Sequence, residues 1–295
     1  MIRRWGALLA AVTAIFVLGA AASPAQAEPA RDDGNTETVY LVKGYNPKWP
    51  APAPCTAPFV GRWDDLIDAM PEWGWEEEQF VTVGFYKGEV GCDVNLAPKD
   101  GDPNLSLREL GRRLAWGIYN LHSSKGESVD LVGHSMGGLI VRAAILGVTH
   151  HAPEEKWPPF IRVEDAVTLG TPHYGTQQNC EELTLQCQQM KPGSSFLTWL
   201  HSTGVPQPTR TDWTFIGSNA DKTVNKESAT PTNDGAQHLV RYAGDERITH
   251  GQLRYLTGCC HRMYYRNKGS LRWTQKYGPA PVPVVSNALY WASRW

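Results

Sequence analysis

The chain has 295 residues, of which 41% are hydrophobic and 20% are charged. Its 28 Lys and Arg residues nearly balance 30 Asp and Glu residues, so the formal net charge is only −2. The basic residues are scattered and form no stripe, which excludes a nucleic-acid partner held by charge.

Residues 1–27 have the pattern of an export signal. Arg3 and Arg4 give a basic start, residues 5–22 are almost wholly apolar, and residues 25–27 read Ala-Gln-Ala, a small-residue cleavage site. A membrane anchor is the alternative interpretation of the same apolar run. We expect a secreted, extracellular protein in which residues 28–295 form one domain.

The cysteine count fits an exported protein. Six cysteines lie at positions 55, 92, 180, 187, 259 and 260. An even number in an oxidising compartment predicts disulfides, and no Cys-x-x-Cys spacing indicates a metal site. From spacing, we expect Cys55 to pair with Cys92.

The other four cysteines allow two arrangements. A bond between the adjacent Cys259 and Cys260 requires a strained ring, so we expect each of them to reach Cys180 or Cys187. Such bonds would tie the middle of the chain to its C-terminal part. A local Cys180–Cys187 bond beside a Cys259–Cys260 bond is the alternative.

Predicted strands and helices alternate along the chain. Short β-branched and apolar runs predict strands at residues 38–42, 80–85, 129–132, 163–169, 213–217 and 238–242. Helical patterns lie between them, at residues 62–70, 106–121 and 139–146. This order predicts an α/β fold with a mostly parallel central sheet and helices on both faces.

The second of these helices has a start signal. Ser106 and Glu109 have the spacing of a capping box, in which each side chain binds a backbone N–H of the first turn. Apolar side chains follow at helical spacing and are expected to face the sheet: Leu107, Leu110, Leu114, Ile118 and Leu121.

The central motif lies at residues 131–138, Leu-Val-Gly-His-Ser-Met-Gly-Gly, and contains Gly-x-Ser-x-Gly with Ser135 in the middle. The pentapeptide alone is a weak signal, so its context decides. A predicted strand precedes it and a predicted helix follows it, which is the strand–turn–helix context of a nucleophile elbow. Ser135 is therefore the predicted nucleophile.

Four blocks of sequence carry a resemblance. They are Val-Tyr-Leu-Val-Lys-Gly-Tyr near the start, the motif around Ser135, Thr-Leu-Gly-Thr-Pro-His-Tyr-Gly at residues 168–175, and Gln-Met-Lys-Pro-Gly-Ser-Ser-Phe-Leu at residues 189–197. Over residues 38–257 the chain resembles the secreted bacterial lipases of the α/β-hydrolase superfamily, the group related to the PGAP1-type and class 2 lipases. The resemblance implies an α/β-hydrolase fold and ester hydrolysis through an acyl-serine intermediate.

The resemblance also implies the acidic member of a catalytic triad. In this fold the triad residues follow the order Ser, Asp or Glu, His. The acid falls on Asp221, after the strand at residues 213–217. Asp234 and Asp245, both in polar turns, are the alternatives, whereas Asp165 lies at the start of a strand and is discounted.

The triad base falls on His250, after the strand at residues 238–242. Other histidines have other expected roles. His134 is expected to point away from the nucleophile, His173 to support the Thr-Pro-His loop, and His261 to be structural. For a histidine taken alone, a structural role is the more common one.

Two backbone N–H groups are expected to bind the oxyanion. One belongs to Met136, the residue after the nucleophile, and the other to Tyr45, in the loop after the first strand. Here the chain departs from the family, because Lys43-Gly44 replaces the usual His-Gly pair. A backbone donor does not depend on that side chain, so the prediction stands.

Residues 176–212 are long for a plain connection and are predicted to form a lid-like insertion. Tryptophans at positions 49, 63, 73, 75 and 199 are either core residues or walls of an apolar acyl-binding cleft. The sequence implies no cofactor and no metal. The expected partner of this monomer is a lipid or small ester, with a lipid–water interface as a further possibility.

Three other functions stay open at this stage. A short-chain carboxylesterase or a lipid acyltransferase would use the same chemistry as a lipase. A non-catalytic binding protein could have the same fold, because a fold alone does not determine an activity.

Overall fold

The computed structural model describes residues 34–46, 55, 63–151, 156–180, 184–205 and 211–290. The predicted export signal at residues 1–27 and Trp49 lie outside these residues. In the described part, no helix has the length and apolar character needed to cross a bilayer.

A nine-stranded sheet forms the centre of the fold. Its strands are β1 (Thr38–Val42), β2 (Phe80–Gly84), β3 (Val94–Asn95), β4 (Val129–His134), β5 (Val163–Leu169), β6 (Asp212–Ser218), β7 (His238–Tyr242), β8 (His261–Asn267) and β9 (Thr274–Gly278). The spatial order is β3-β2-β1-β4-β5-β6-β7-β8-β9. Strands β1 to β7 run parallel to one another. Strand β8 runs antiparallel to β7, and β9 runs antiparallel to β8. The predicted mostly parallel sheet is confirmed.

Helices cover both faces of this sheet. They are α1 (Asp64–Ala69), α2 (Leu107–Leu121), α3 (Met136–His151), α4 (Leu185–Gln189), α5 (Ser195–Leu200), α6 (Lys226–Ala229) and α7 (Pro281–Tyr290). Successive side chains of a strand point to opposite faces. Thus Tyr40 and Val42 join the core that contains α2 and α3, whereas Val39 and Leu41 join the core that contains α1 and α7.

Helix α2 begins as predicted, but only half of the capping box forms. The Ser106 hydroxyl accepts a hydrogen bond from the Glu109 N–H at 3.1 Å. The Glu109 carboxylate instead accepts from Arg112 at 2.7 Å and from Arg113 at 2.8 Å. The predicted apolar face is buried except for Leu121, which is 47% exposed at the end of the helix.

The segment at residues 176–212 carries the short helices α4 and α5. Side chains of α5 are buried in the same core as α2 and α3, namely Phe196, Leu197 and Leu200. The Gln186 side chain of α4 donates to the backbone oxygens of Asp102 and Leu105 at 3.1 and 3.0 Å and accepts from the Tyr86 hydroxyl at 2.6 Å. In the described residues, this segment therefore packs against the body of the fold.

Of the predicted disulfides, Cys55–Cys92 is confirmed. The remaining bonds are Cys180–Cys187 and Cys259–Cys260, so the predicted cross-pairing is wrong. Cys180 and Cys187 are fully buried beside α4.

The position of α4 explains the error. The Gln186 N–H donates to the Pro103 carbonyl at 2.9 Å, which holds α4 near the segment that follows β3. Cys259 and Cys260 lie in an exposed turn before β8, towards the opposite end of the sheet. The Cys180–Cys187 pair and the Cys259–Cys260 pair thus lie near opposite ends of the sheet. Their spacing along the chain did not reveal this separation.

We expect loss of Cys55–Cys92 to destabilise the protein more than loss of Cys180–Cys187. The first bond closes a sequence separation of 37 and the second one of 7. In the chain-entropy treatment these bonds contribute about 4 and about 2.5 kcal/mol. Urea unfolding of the two paired Cys→Ala variants measures both values. A larger loss for the Cys180 and Cys187 pair would contradict the expected order.

Candidate active site

The carboxyl ends of the parallel strands meet at one edge of the sheet. Ser135 follows β4, Asp221 lies three residues after β6, and His250 lies in the loop after β7. In open α/β sheets this edge is where ligands bind. The strand order therefore gathers residues that are more than a hundred positions apart in the sequence.

Ser135 is the single residue between β4 and α3. Its φ angle is 56°, which is uncommon for a residue other than glycine. The Ser135 N–H donates to the Leu169 carbonyl at 2.8 Å, and its carbonyl accepts from the Gly138 N–H at 3.1 Å. These bonds hold the sharp strand-to-helix turn that the motif predicts.

The glycines around Ser135 are needed for close backbone packing. A Cβ atom on Gly133 would lie 2.4 Å from the Gly138 Cα, and one on Gly137 would lie 2.1 Å from the Val42 carbonyl oxygen. Both distances are too short for real carbon contacts. The elbow can therefore pass against the end of β1 only with glycine at these positions.

Asp221 and His250 form a direct pair. The His250 Nδ1 lies 2.7 Å from the Asp221 Oδ2. The other carboxylate oxygen accepts from the N–H groups of Thr223 and Val224 at 2.7 and 3.0 Å. The Asp221 side chain is fully buried, and that of His250 is 18% exposed. A neutral His250 that donates from Nδ1 keeps Nε2 free as an acceptor.

The alternative triad acids have other partners. The Asp234 carboxylate lies 2.5 Å from the buried Arg142 guanidinium. Asp245 pairs with Arg262 at the surface, and Asp165 lies within β5, away from the edge that carries Ser135. Among these aspartates, only Asp221 contacts a histidine of the cleft described below.

A buried polar network supports the loop at residues 170–176. Arg142 donates to Asp234 and to His173 at 3.3 Å, the Tyr174 hydroxyl donates to Asp234 at 2.6 Å, and the His201 Nδ1 lies 3.4 Å from the Asp234 Oδ2. Burial acts to raise the pKa of Asp234. Hydrogen bonds from His201 and Tyr174 and the Arg142 charge nevertheless hold that pKa well below its usual range. The supporting role expected of His173 agrees with its position in this network.

Met136 follows Ser135 in the chain, and Tyr45 lies in the loop after β1. Met136 is the first residue of α3, and the first N–H groups of a helix have no acceptor within it. Tyr45 follows Gly44, where an added Cβ would lie 3.1 Å from the Ser135 Cβ. The loop after β1 therefore passes directly against the serine.

Lys43 turns away from this loop into the interior. Its side chain is fully buried, its Nζ lies 2.5 Å from the Glu89 Oε1, and it lies 4.2 Å from the centroid of the Phe85 ring. Burial lowers the pKa of Lys43, although the Glu89 charge opposes that shift. Glu89 also accepts from the Phe85 and Tyr86 N–H groups, so the ion pair joins the loops that follow β1 and β2.

The expectation that His134 points away from the site is wrong. Its Nε2 donates to the His250 carbonyl at 2.9 Å, and the two rings are 4.7 Å apart. Burial holds the pKa of His134 well below its usual range, with smaller contributions from the charges of His250 and Arg254. A neutral His134 thus supports the backbone of the histidine loop.

A cleft with an empty volume of about 510 Å³, including its open mouth, connects these residues. It is lined by Gly44, Tyr45, His134, Ser135, Pro172, Thr176, Gln178, Met190, Thr223, Val224, His250 and Arg254. No described tryptophan lines it, and Trp63 and Trp75 belong to the core. The lining is thus more polar than the apolar cleft considered from the sequence.

Arg254 is the charged lining residue that sequence reasoning missed. It ends the 3-10 helix Gly251–Arg254, four residues after His250. Residues four apart lie on the same side of a helical turn. For an α-helix after His250, that spacing would have been a usable signal.

Comparison with known proteins gives one family and several structures. Residues 113–192 match the family described as PGAP1-like alpha/beta domain. No curated protein sequence gives a significant match. Aspergillus fumigatus lipase B is 18% identical with a TM-score of 0.46, covering 77% of this chain and 52% of its own.

Two further structures are similar at the same level. Bacillus licheniformis lipase BlEst2 in its mature form is 19% identical with a TM-score of 0.43, covering 68% of this chain and 82% of its own. Legionella pneumophila phospholipase PlaB is 13% identical with a TM-score of 0.43, covering 66% of this chain and 44% of its own. The chain therefore has an α/β fold with a mostly parallel sheet and a strand–serine–helix turn, and its residues 113–192 are similar to the PGAP1-like alpha/beta domain family.

Proposed function

We propose that this protein is a secreted serine hydrolase that cleaves carboxylic esters. One observation carries the proposal. The buried Asp221 carboxylate lies 2.7 Å from the His250 Nδ1, and His250 shares a cleft with Ser135 at the strained elbow. A serine needs a base to accept its proton and an acid to orient that base.

In the proposed reaction, the Ser135 Oγ attacks the ester carbonyl carbon while the His250 Nε2 takes its proton. Backbone N–H groups of Met136 and Tyr45 bind the oxyanion of the tetrahedral intermediate. His250 returns the proton to the leaving alcohol, which leaves an acyl-serine. Water, deprotonated by His250, then attacks the acyl group, and the carboxylic acid and free Ser135 are released.

The resemblance in the sequence implies a lipid ester as substrate. The cleft favours a second candidate, a carboxylesterase for short or polar esters. Thr176, Gln178, Thr223 and Arg254 line the cleft, and only Pro172, Met190 and Val224 offer apolar surface beyond the reacting groups. An apolar chain gains less in a cleft with this many polar groups, because those groups would lose water without gaining a hydrogen-bond partner.

We expect kcat/KM for 4-nitrophenyl esters to be highest for acetate or butyrate. Palmitate should be lower by about tenfold or more, because additional methylenes find little apolar surface to bury. The assay uses acetate, butyrate, octanoate and palmitate, with and without a triolein emulsion, and Ser135→Ala as the control. Higher activity on palmitate together with activation by the emulsion would instead support a lipase.

A further inference from the structure

Arg254 is a buried cation in the cleft. It is 2% exposed and lines the same space as Ser135 and His250. Its charge helps to lower the pKa of His134, which precedes the nucleophile, and the pKa of Lys43, which lies in the loop after β1. The guanidinium therefore lies close to the reacting groups.

The other two fully buried cations described above have carboxylate partners. Lys43 pairs with Glu89, and Arg142 pairs with Asp234. The buried Arg254 Nε has no acceptor among the described residues, and the carboxylate whose charge acts on this guanidinium is that of Asp65, which does not line the cleft. An unpaired buried charge is costly unless a ligand completes it.

The charge of Arg254 persists at neutral pH. Burial lowers the pKa of its guanidinium to about 10, and Tyr255 and Asp65 oppose that shift. The described lining of the cleft includes no carboxylate. The nearby Asp221 is already bound to His250 and to two backbone N–H groups. Within the described lining of the cleft, no carboxylate therefore stands between this positive charge and a ligand.

Polar groups accompany this charge. The Gln178 side chain lies in an exposed part of the lining, and Thr176 and Thr223 lie beside it. The Thr176 hydroxyl and the Gln177 N–H both donate to the Thr223 carbonyl at 2.9 Å, which joins the loop after β5 to the loop that carries Asp221. This polar wall is built from two tied loops.

We propose that Arg254 binds an anionic group of the substrate, a carboxylate or a phosphate, so that the preferred esters carry a negative charge near the scissile bond. The inference rests on the proposed ester hydrolysis at Ser135. A guanidinium matches the geometry of both anions through paired N–H donors. The anion can lie on the acyl side or on the alcohol side of the ester.

Two matched pairs of esters test this proposal. The acyl arm compares mono-4-nitrophenyl adipate with 4-nitrophenyl hexanoate, and the alcohol arm compares 4-acetoxybenzoate with its methyl ester. We expect the wild-type protein to prefer the anionic ester in at least one arm. Arg254→Met should lower kcat/KM for that ester by about 10- to 100-fold and change the neutral one by no more than about threefold. Arg254→Lys should retain part of the preference.

Arg247→Met is the matched control, because it removes an exposed positive charge three residues before His250. In both arms, it should leave unchanged the ratio of kcat/KM for the anionic ester to kcat/KM for the neutral ester. Equal turnover of charged and neutral esters by the wild-type protein, or equal losses on both in Arg254→Met, would overturn the proposal.

A binding measurement separates this proposal from the proposed function. Calorimetry with adipate and with 4-hydroxybenzoate needs no turnover. We expect one of these anions to bind to Ser135→Ala and not to the Ser135→Ala/Arg254→Met double variant. That result supports the anion site even if no ester is cleaved. If the protein turns over neutral esters but binds neither anion, the proposed ester hydrolysis stands and the proposed role of Arg254 is rejected.

Discussion

Replacing Ser135 by alanine is expected to lower kcat for ester hydrolysis by about 10⁴- to 10⁶-fold while the protein stays folded. The reason is that the Oγ forms the bond to the acyl group, and no other hydroxyl in the cleft lies on a strained elbow. His250→Ala should have a loss of similar size. The double variant should be little worse than either single variant, because the residues act as one unit.

His261→Ala is the matched control for His250→Ala. His261 also pairs with a carboxylate, with Nδ1 at 2.9 Å from the Glu246 Oε2, but it does not line the cleft. We expect its kcat to remain near the wild-type value. A His250→Ala protein with near wild-type kcat would remove His250 from the mechanism, whatever the result for Ser135.

Loss of the Arg142–Asp234 ion pair should lower the stability of the folded protein strongly. Both side chains are almost fully buried, and Asp234→Asn leaves the Arg142 charge without its partner. Breaking a buried pair in this way costs about 3–5 kcal/mol. Urea unfolding at pH 7 measures the loss. Asp245→Asn, which breaks the exposed pair with Arg262, is the control and should change stability little.

The same pair should make stability depend on pH. The pKa of Asp234 is held below its usual range in the folded protein, so its contribution is present above the unfolded value of about 3.9 and is lost as the pH falls further. The difference in free energy of unfolding between the wild-type protein and Asp234→Asn should therefore shrink as the pH falls from 5 to 3. A constant difference over this range would show that Asp234 does not titrate as the network implies.

Three strands have the residues that the sequence predicts, β1, β5 and β7. Each is rich in β-branched, aromatic and other apolar residues and is followed by glycine, alanine or a polar residue, so local pattern and burial agree. The β8–β9 hairpin was not predicted. Its strands are only half buried and have few aliphatic residues, so the strong apolar signal of a buried strand is absent.

Helix α7 was also not predicted. It starts at Pro281, and a second proline follows at position 283. Proline usually indicates a break, yet in the first turn of a helix it costs little, because the N–H groups there have no partner within the helix. The buried Val284, Val285 and Leu289 then give the helix its contact with the sheet.

The chain order of an α/β-hydrolase led from Ser135 to Asp221 and His250, because parallel strands bring their carboxyl ends together. Sequence did not predict the role of His134, since its direction depends on how the elbow packs against the histidine loop. The favoured pairing from sequence also missed the Cys180–Cys187 and Cys259–Cys260 bonds, which depend on which elements the sheet separates.

Covalent labelling of Ser135 tests the central proposal most directly. A 4-nitrophenyl alkylphosphonate transfers its phosphonyl group only to a serine that is activated as a nucleophile and faces oxyanion donors. Intact mass and peptide mapping should give one adduct per chain, on the peptide that contains Ser135, with activity lost in proportion. His250→Ala should label far more slowly. Ester turnover that persists in the fully labelled protein, or an adduct on another residue that accounts for the lost activity, would contradict the assignment of Ser135 as the nucleophile.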